Sequence, residues 1–267
     1  MALEGWKWVR ASVPGTSHIQ AGLPCQDACD VRHLRNDFGD DFLILVVSDG
    51  AGSALKGIEG ATLACRALIE EVDEFIREFG TLDTAEAKHL IEWVRSVRRR
   101  IGNEAVSSGL TLRDYACTLL AAVVSDKCAV YLQIGDGAMI VPHGESYRTV
   151  FWPQSGEYIN TTNFVTDPAV LENLRVQVFP GQVDEIALFT DGIQMLALHY
   201  QTKSVHRPFF SPMFERLRVE TTGEQYHLED ALQDFLRSDR VNERTDDDKT
   251  LILATRQTPG NSLHKTE

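Results

Sequence analysis

The sequence predicts an α+β fold. Strand-sized apolar runs at residues 42–47 and 119–124 stand beside two long amphipathic stretches joined by a short link. The middle of the chain is rich in strand patterns, and helices come in pairs instead of alternating with strands. That distribution favours an α+β sandwich over a doubly wound parallel sheet.

In order, residues 6–13 read as a strand and 31–34 as a weaker one, and residues 42–48 form a buried strand by their unbroken apolar run. A helix starts near Gly57. Ile58, Ala61, Cys65, Leu68, Val72, Phe75 and Phe79 recur in steps of three and four, and Gly80 is the stop. Thr84 is the expected cap of a second helix carrying Leu90, Ile91, Val94, Val97, Ile101 and Ala105 on one stripe, which Gly109 ends. So short a link implies an antiparallel pair. Residues 115–124, 129–134 and 138–142 read as a meander, continued by strands at 146–150, 175–179 and 185–190. Residues 193–199 form a short helix, and 199–222, with Pro208 and Pro212, is irregular. Residues 226–237 are helical and 250–255 form a last strand.

The 267 residues carry 39 acids against 26 Lys and Arg, a net charge of −13. Nucleic acid and anionic membranes demand clustered basic residues, so neither is the expected partner. Arg98-Arg99-Arg100 lies in a helical pattern and reads as a solvated face. No run approaches the roughly 18 apolar residues of a membrane span. Residues 1–10, with Glu4, Lys7 and Arg10, lack the apolar core of a signal peptide, so the expected location is the cytoplasm. The five cysteines include no CxxC pair. Cys65, Cys117 and Cys128 sit in apolar stretches as small core residues, and no second pair completes a zinc set with Cys25 and Cys29.

Three Asp-Gly dipeptides each follow an apolar strand: Asp49-Gly50, Asp136-Gly137 and Asp191-Gly192. A fourth acidic group, Asp246-Asp247-Asp248, precedes the last strand. Asp-Gly between strands usually makes a hairpin turn, and Asp136-Gly137 has strands on both sides. Asp49-Gly50 and Asp191-Gly192 lead instead into helical patterns. The second reading has these carboxylates converge. Crowded acids raise one another's pKa, and a divalent cation removes that cost. Oxygen donors without His or Cys select magnesium, manganese or calcium over zinc. Glycine after each Asp lets a backbone carbonyl approach an ion closely. Spacing alone leaves both readings open and names no reaction.

The segments GTSHIQAGLPCQDA (15–28), SDGAGSALKGIEGA (48–61), ACTLLAAVV (116–124), IGDGAMIV (134–141), LFTDGI (188–193) and DDKTLIL (247–253) follow one another in an order that resembles the metal-dependent serine/threonine protein phosphatases of type 2C, the PPM family. The PCQDA opening and the NERTDDDKT ending look like a divergent bacterial branch. The resemblance implies one domain over residues 1–256; residues 257–267, a polar stretch, read as a disordered tail. It implies a pair of antiparallel sheets flanked by antiparallel helix pairs, in four αββα layers. It implies two magnesium or manganese ions, possible room for a third, and a water between the ions that attacks phosphorus without a phosphoenzyme. Expected partners are a phosphoprotein substrate and a cognate protein kinase.

Carried onto this chain, the resemblance makes Asp49 the bridging ligand, Gly50 a carbonyl ligand, and Asp191 and Asp247 ligands of the first metal. Asp27 orders water, and Asp136 holds the weaker third ion. Asp248 replaces the family's Asn, and Thr118 is structural. Three departures stand out. Gln26 replaces a metal-binding Glu and weakens the second site. Gly22 stands where the phosphate-clamping Arg belongs, leaving His18 or Lys56 as positive partner for substrate. Ala51 replaces the His of animal members. Tyr158 and Asn160 are candidate flap residues, with packing as the other reading. The alternative function is a regulatory module that keeps the fold without useful catalysis.

Overall fold

The computed structural model describes residues 5–154 and 162–257. Tyr158, Asn160 and residues 258–267 of the expected 257–267 tail lie outside the described residues. Gln257 itself is ordered, accepting from Lys7 Nζ at 2.9 Å and donating its N–H to Thr255 Oγ1 at 3.0 Å, so the expected disorder does not begin there. In chain order the first elements are β1 (Lys7–Val13), α1 (Thr16–Ala21), β2 (Asp27–Arg35), β3 (Asp41–Asp49), α2 (Gly57–Phe79) and α3 (Ala87–Ser107). Next come β4 (Leu119–Val124), β5 (Ala129–Ile134), β6 (Ala138–His143), β7 (Ser146–Thr149), α4 (Val170–Asn173), β8 (Arg175–Phe179) and β9 (Glu185–Phe189). The last are α5 (Gln194–Ala197), β10 (Leu198–His199), β11 (Ser204–Val205), α6 (Arg207–Arg218), β12 (Gly223–Glu224), α7 (Tyr226–Arg237), α8 (Asp239–Asn242) and β13 (Lys249–Thr255).

The chain forms two compact units, each threaded from separate stretches of sequence. One comprises residues 26–137 and 153–182. Its sheet runs β2-β3-β4-β5-β8, antiparallel throughout. Ile44, Val46, Ala121, Val123, Val130 and Leu132 pack with Ala61, Ala64, Leu68 and Val72 of α2 and with Leu90, Trp93, Val94 and Val97 of α3. The end of α2 meets the start of α3: Phe75 contacts His89 and Trp93, and Glu70 and Glu71 pair with Arg100. That reversed order is the expected antiparallel pair. Buried side chains of this size contribute ~1.5–3 kcal/mol each, which outweighs propensity in fixing the helices.

The other unit comprises residues 1–25, 138–152 and 183–267. Its sheet runs β12-β1-β13-β9-β6-β7 and is antiparallel except for the two-residue pairing of β12 with β1. Val9, Ala11, Ile140, Ala187, Phe189, Leu251 and Leu253 pack with Phe210, Phe214 and Leu217 of α6 and Leu232 and Leu236 of α7. Glu185 is fully buried at the edge of this core. It accepts hydrogen bonds from Arg218 at 2.7 Å, Tyr147 at 3.0 Å and Thr255 at 3.0 Å.

The α+β class with two large antiparallel sheets and paired helices is the one observed, but several local expectations are corrected. The meander breaks: β5 pairs with β4 and β8, whereas β6 pairs with β7 and β9. Asp136-Gly137 is therefore a passage from one sheet to the other and not a hairpin. The cap of α3 is Glu86, whose side chain accepts the His89 backbone N–H while its own N–H donates to the His89 ring; Thr84 lies in the preceding turn. Residues 112–115 wind into a 3-10 turn closed by a Thr111–Asp114 capping box, so the strand begins at Leu119. The weak strand at 31–34 lengthens to the nine residues of β2 because β3 supplies a full antiparallel partner. The 193–199 helix divides into a 3-10 turn (Asp191–Ile193), α5 and β10.

The stretch expected to be irregular contains α6. Pro208 sits in its first turn, where no N–H is needed. Pro212 sits inside the helix, at a cost of about 3 kcal/mol. Complete burial of Phe210, Phe214 and Leu217 offsets that cost.

Candidate active site

In the unit of residues 26–137 and 153–182, the first carboxylates are placed by register. Asp27 and Asp49 face one another at the end of the β2–β3 ladder. Asp27 is 4% exposed and Asp49 half-buried. Thr118 clamps the Asp49 backbone: its Oγ1 accepts the Asp49 N–H at 2.9 Å, and its own N–H donates to the Asp49 carbonyl at 2.8 Å. The structural role expected of Thr118 has this geometry.

Gly50 donates its N–H to the Gln26 carbonyl at 3.0 Å. A Cβ on Gly50 would lie 2.4 Å from the Gly57 carbonyl carbon and 2.8 Å from the Gln26 oxygen. Only glycine allows the strand end, the Gln26 backbone and the start of α2 to approach so closely.

Asp136 follows β5. Gly135 holds φ +109°, and a Cβ there would strike the Thr118 side chain at 2.6 Å. Gln133 donates to the carbonyls of Gly135 and Gly137, and Gln154 accepts the Gly135 N–H at 2.8 Å. Thr162 donates to Asp136 Oδ2 at 2.6 Å. The result brings carboxylate oxygens of Asp49 and Asp136 within 4.8 Å of each other. Two carboxylates that close repel strongly when both are ionised, and a donor group made of carboxylate oxygens matches a divalent cation such as magnesium or manganese. The residues present therefore fit the metal that the sequence implied.

In the other unit, Asp191 opens the 3-10 turn after β9, and Asp247 lies just before β13. A Cβ on Gly192 would sit 1.9 Å from the Asp248 carbonyl oxygen, so these segments touch backbone to backbone. Asp248, 2% exposed, accepts the Gly15 N–H at 2.6 Å and pairs with His18 Nδ1 at 2.8 Å. Ser17 donates both its N–H and its hydroxyl to the Asp246 carbonyl. Asp248 thus fastens α1 to the 246–248 loop. Its own N–H donates to Asp247 Oδ1 at 2.8 Å. Asp247 is itself exposed, but desolvation by the chain packed around its base lifts its carboxyl above the ordinary pKa; the Asp248 N–H lowers it, Asp248 raises it, His18 lowers it and Asp246 raises it.

The remaining candidates have separate surroundings. Gly22 ends α1 at φ +67°. That left-handed cap conformation favours glycine. Lys56 precedes α2 in an exposed ion pair with Glu59 at 2.6 Å. Thr162 and Gln154 escape sequence reading, since isolated polar residues in a loop carry no period or motif. The glycines after Asp49 and Asp191 were legible, but their reason was not: each relieves backbone crowding.

The family described as protein phosphatase 2C matches residues 14–237. Serine/threonine-protein phosphatase 3 of Escherichia coli (strain K12) is 40% identical over 251 residues, covering 93% of this chain and 98% of that protein. Among solved structures, the serine/threonine phosphatase Stp1 from Staphylococcus aureus aligns with a TM-score of 0.61 at 17% identity, covering 96% of this chain and 95% of that one. The catalytic domain of the serine threonine protein phosphatase PstP, in complex with two manganese ions, aligns with a TM-score of 0.58 at 14% identity over 94% of this chain and 98% of that one. At such identities the two structures speak for the fold. Among the described residues, no helix is long and apolar enough to cross a membrane. With the family match spanning most of the sequence, and with close to the full length of the bacterial relative aligned, the chain belongs to the protein phosphatase 2C family.

Proposed function

We propose that this chain is a metal-dependent phosphoprotein phosphatase that hydrolyses phosphoserine and phosphothreonine, with residues 1–256 acting as one domain. The observation that carries the reading is the Asp49–Asp136 carboxylate pair, within 4.8 Å, in a family whose members are phosphatases. Asp49, the Gly50 carbonyl, Asp191 and Asp247 would hold two magnesium or manganese ions, and Asp136 a third, weaker one. When bound, the ions supply a water of lowered pKa and positive charge for the phosphoryl oxygens.

The chain's own groups prepare that chemistry. Thr118 fixes the Asp49 backbone on both sides and so anchors the point from which its carboxylate projects. Asp27, opposite Asp49 and nearly buried, orders water in the site. Thr162 orients Asp136 by donating to its Oδ2. Asp248 and Gly15 set the loop that carries Asp247. His18, tethered to Asp248 through Nδ1, offers its second ring nitrogen to the phosphoryl group. Lys56, engaged with Glu59, is the weaker candidate for that task. Gln26 keeps an oxygen but not the charge of a carboxylate, so the second ion binds more weakly than a Glu would allow.

A cognate kinase acting on the same phosphoprotein completes the cycle. The buried thiols of Cys65, Cys117 and Cys128 support a reducing, cytoplasmic setting. The test is turnover of phosphoserine and phosphothreonine peptides with manganese and with EDTA. Asp49→Asn removes a charged ligand without changing shape and should lower turnover by at least about a hundredfold. An Asp49→Asn protein as active as its parent would overturn the assignment.

A further inference from the structure

In the unit of residues 1–25, 138–152 and 183–267, α6 and α7 lie on one face of the sheet. They meet through Phe209 and Phe235, whose ring centroids are 5.9 Å apart. Away from that contact they part, leaving a cavity of about 790 Å³. Val9 of β1 and Leu253 of β13 contribute its sheet-side surface, and Met213, Leu228, Phe209 and Phe235 line the helix side. Small-molecule sites typically span ~300–1,000 Å³ with apolar walls and a few convergent polar groups. Close packing in a core leaves no such volume, so this space is not ordinary interior.

The polar groups on the cavity are mainly cationic. Arg216, Arg240 and Arg244 line it, as do His199 and His206, whose ring nitrogens lie 2.9 Å apart. Glu243 is the single acid among the lining residues. Arg216 is paired with Glu220, but Arg240 and Arg244 form no ion pair among the described residues. A chain of net charge −13 with 39 acids has ample means to neutralise two arginines, yet leaves them at one apolar opening. Arginine forks match carboxylate geometry and give up their hydration more readily than an ammonium. Met195, 67% exposed, extends the apolar surface to the mouth.

We propose that this cavity is a binding site for a small amphipathic carboxylate of the medium-chain fatty-acid type. The apolar tail lies along Met213, Leu228 and Phe235, and the carboxylate meets Arg240 and Arg244. The site uses none of the residues assigned to phosphate hydrolysis. Its walls nevertheless continue into them: Met195 follows Asp191 by four residues, and Arg244 precedes Asp247 by three.

The test is calorimetric titration of the full chain with decanoate, in the absence of metal and substrate, so its result does not depend on the phosphatase reading. Saturable one-to-one binding is expected, with 1-decanol at least about tenfold weaker because it lacks the charge. Arg240→Ala/Arg244→Ala, two exposed positions, should weaken decanoate by about tenfold or more while leaving decanol binding and basal phosphatase activity unchanged. Ala231→Trp, from an exposed lining position, should block both ligands. The proposal fails if decanoate binding does not saturate, if decanol binds equally well, or if the double arginine variant binds as its parent does. It fails also if the protein sediments with phosphatidylglycerol vesicles yet takes up no free decanoate.

Discussion

Gly192→Ala adds one methyl group where the two segments proposed to carry Asp191 and Asp247 as metal ligands meet. The new Cβ would stand 1.9 Å from the Asp248 carbonyl oxygen, whereas real Cβ atoms keep at least 3.0 Å, so the backbones must part by no less than 1.1 Å. Asp248 cannot yield, because the Gly15 N–H and His18 hold both of its carboxylate oxygens and the residue is buried. The displacement falls on the turn that begins with Asp191. Overpacking of this kind costs about 1–3 kcal/mol. A displacement near 1 Å at a catalytic group costs about a hundredfold in rate. Urea unfolding reads the first effect, and manganese-dependent turnover of a phosphoserine peptide reads the second. Gly102→Ala is the control. It lies inside α3, where a Cβ would come no nearer than 3.8 Å to Leu112, so it should stabilise by about 0.5–1 kcal/mol. If Gly192→Ala unfolds at the parent's urea midpoint and turns over at the parent's rate, the close-approach argument is wrong.

Gln26→Glu restores a carboxylate and should tighten manganese binding by about tenfold, or ~1.4 kcal/mol, in a calorimetric titration; unchanged affinity would remove Gln26 from the site. Glu185→Gln leaves Arg218 partly buried beside a neutral group, so unfolding free energy should drop by about 3–5 kcal/mol in a urea melt. Burial raises the Cys117 thiol from its ordinary 9.0 to about 12. Between those values the unfolded chain has lost a proton that the native state retains, so stability declines as pH rises from 9 toward 12. Cys117→Ala should flatten that alkaline slope in melts recorded across the window, and an unchanged slope would point to other groups.

Much of this was open to sequence reading because it rests on local rules. The period of α2 and its Gly80 stop, and the strands β5 and β8, need only side-chain spacing and turn chemistry. The Asp-Gly dipeptides were visible for the same reason. What failed was non-local. Pro208 and Pro212 argue against a helix until the burial of Phe210 and Phe214 is counted, and that burial depends on strands distant in sequence. The meander failed because β5 and β6 look alike as strings, and hydrogen-bond partners assign them to different sheets.

By itself, then, the sequence determined the α+β class, the acidic donor chemistry and the family, because composition, periodicity and motif order are properties of the string. Tertiary structure decided which residues act together. It placed Asp49 opposite Asp27, tied Asp136 to Thr162, bound His18 to Asp248 and opened the space between α6 and α7. Those pairings join residues up to 230 positions apart. No local propensity encodes such contacts; they form only when burial of the two cores outweighs the entropy of closing long loops.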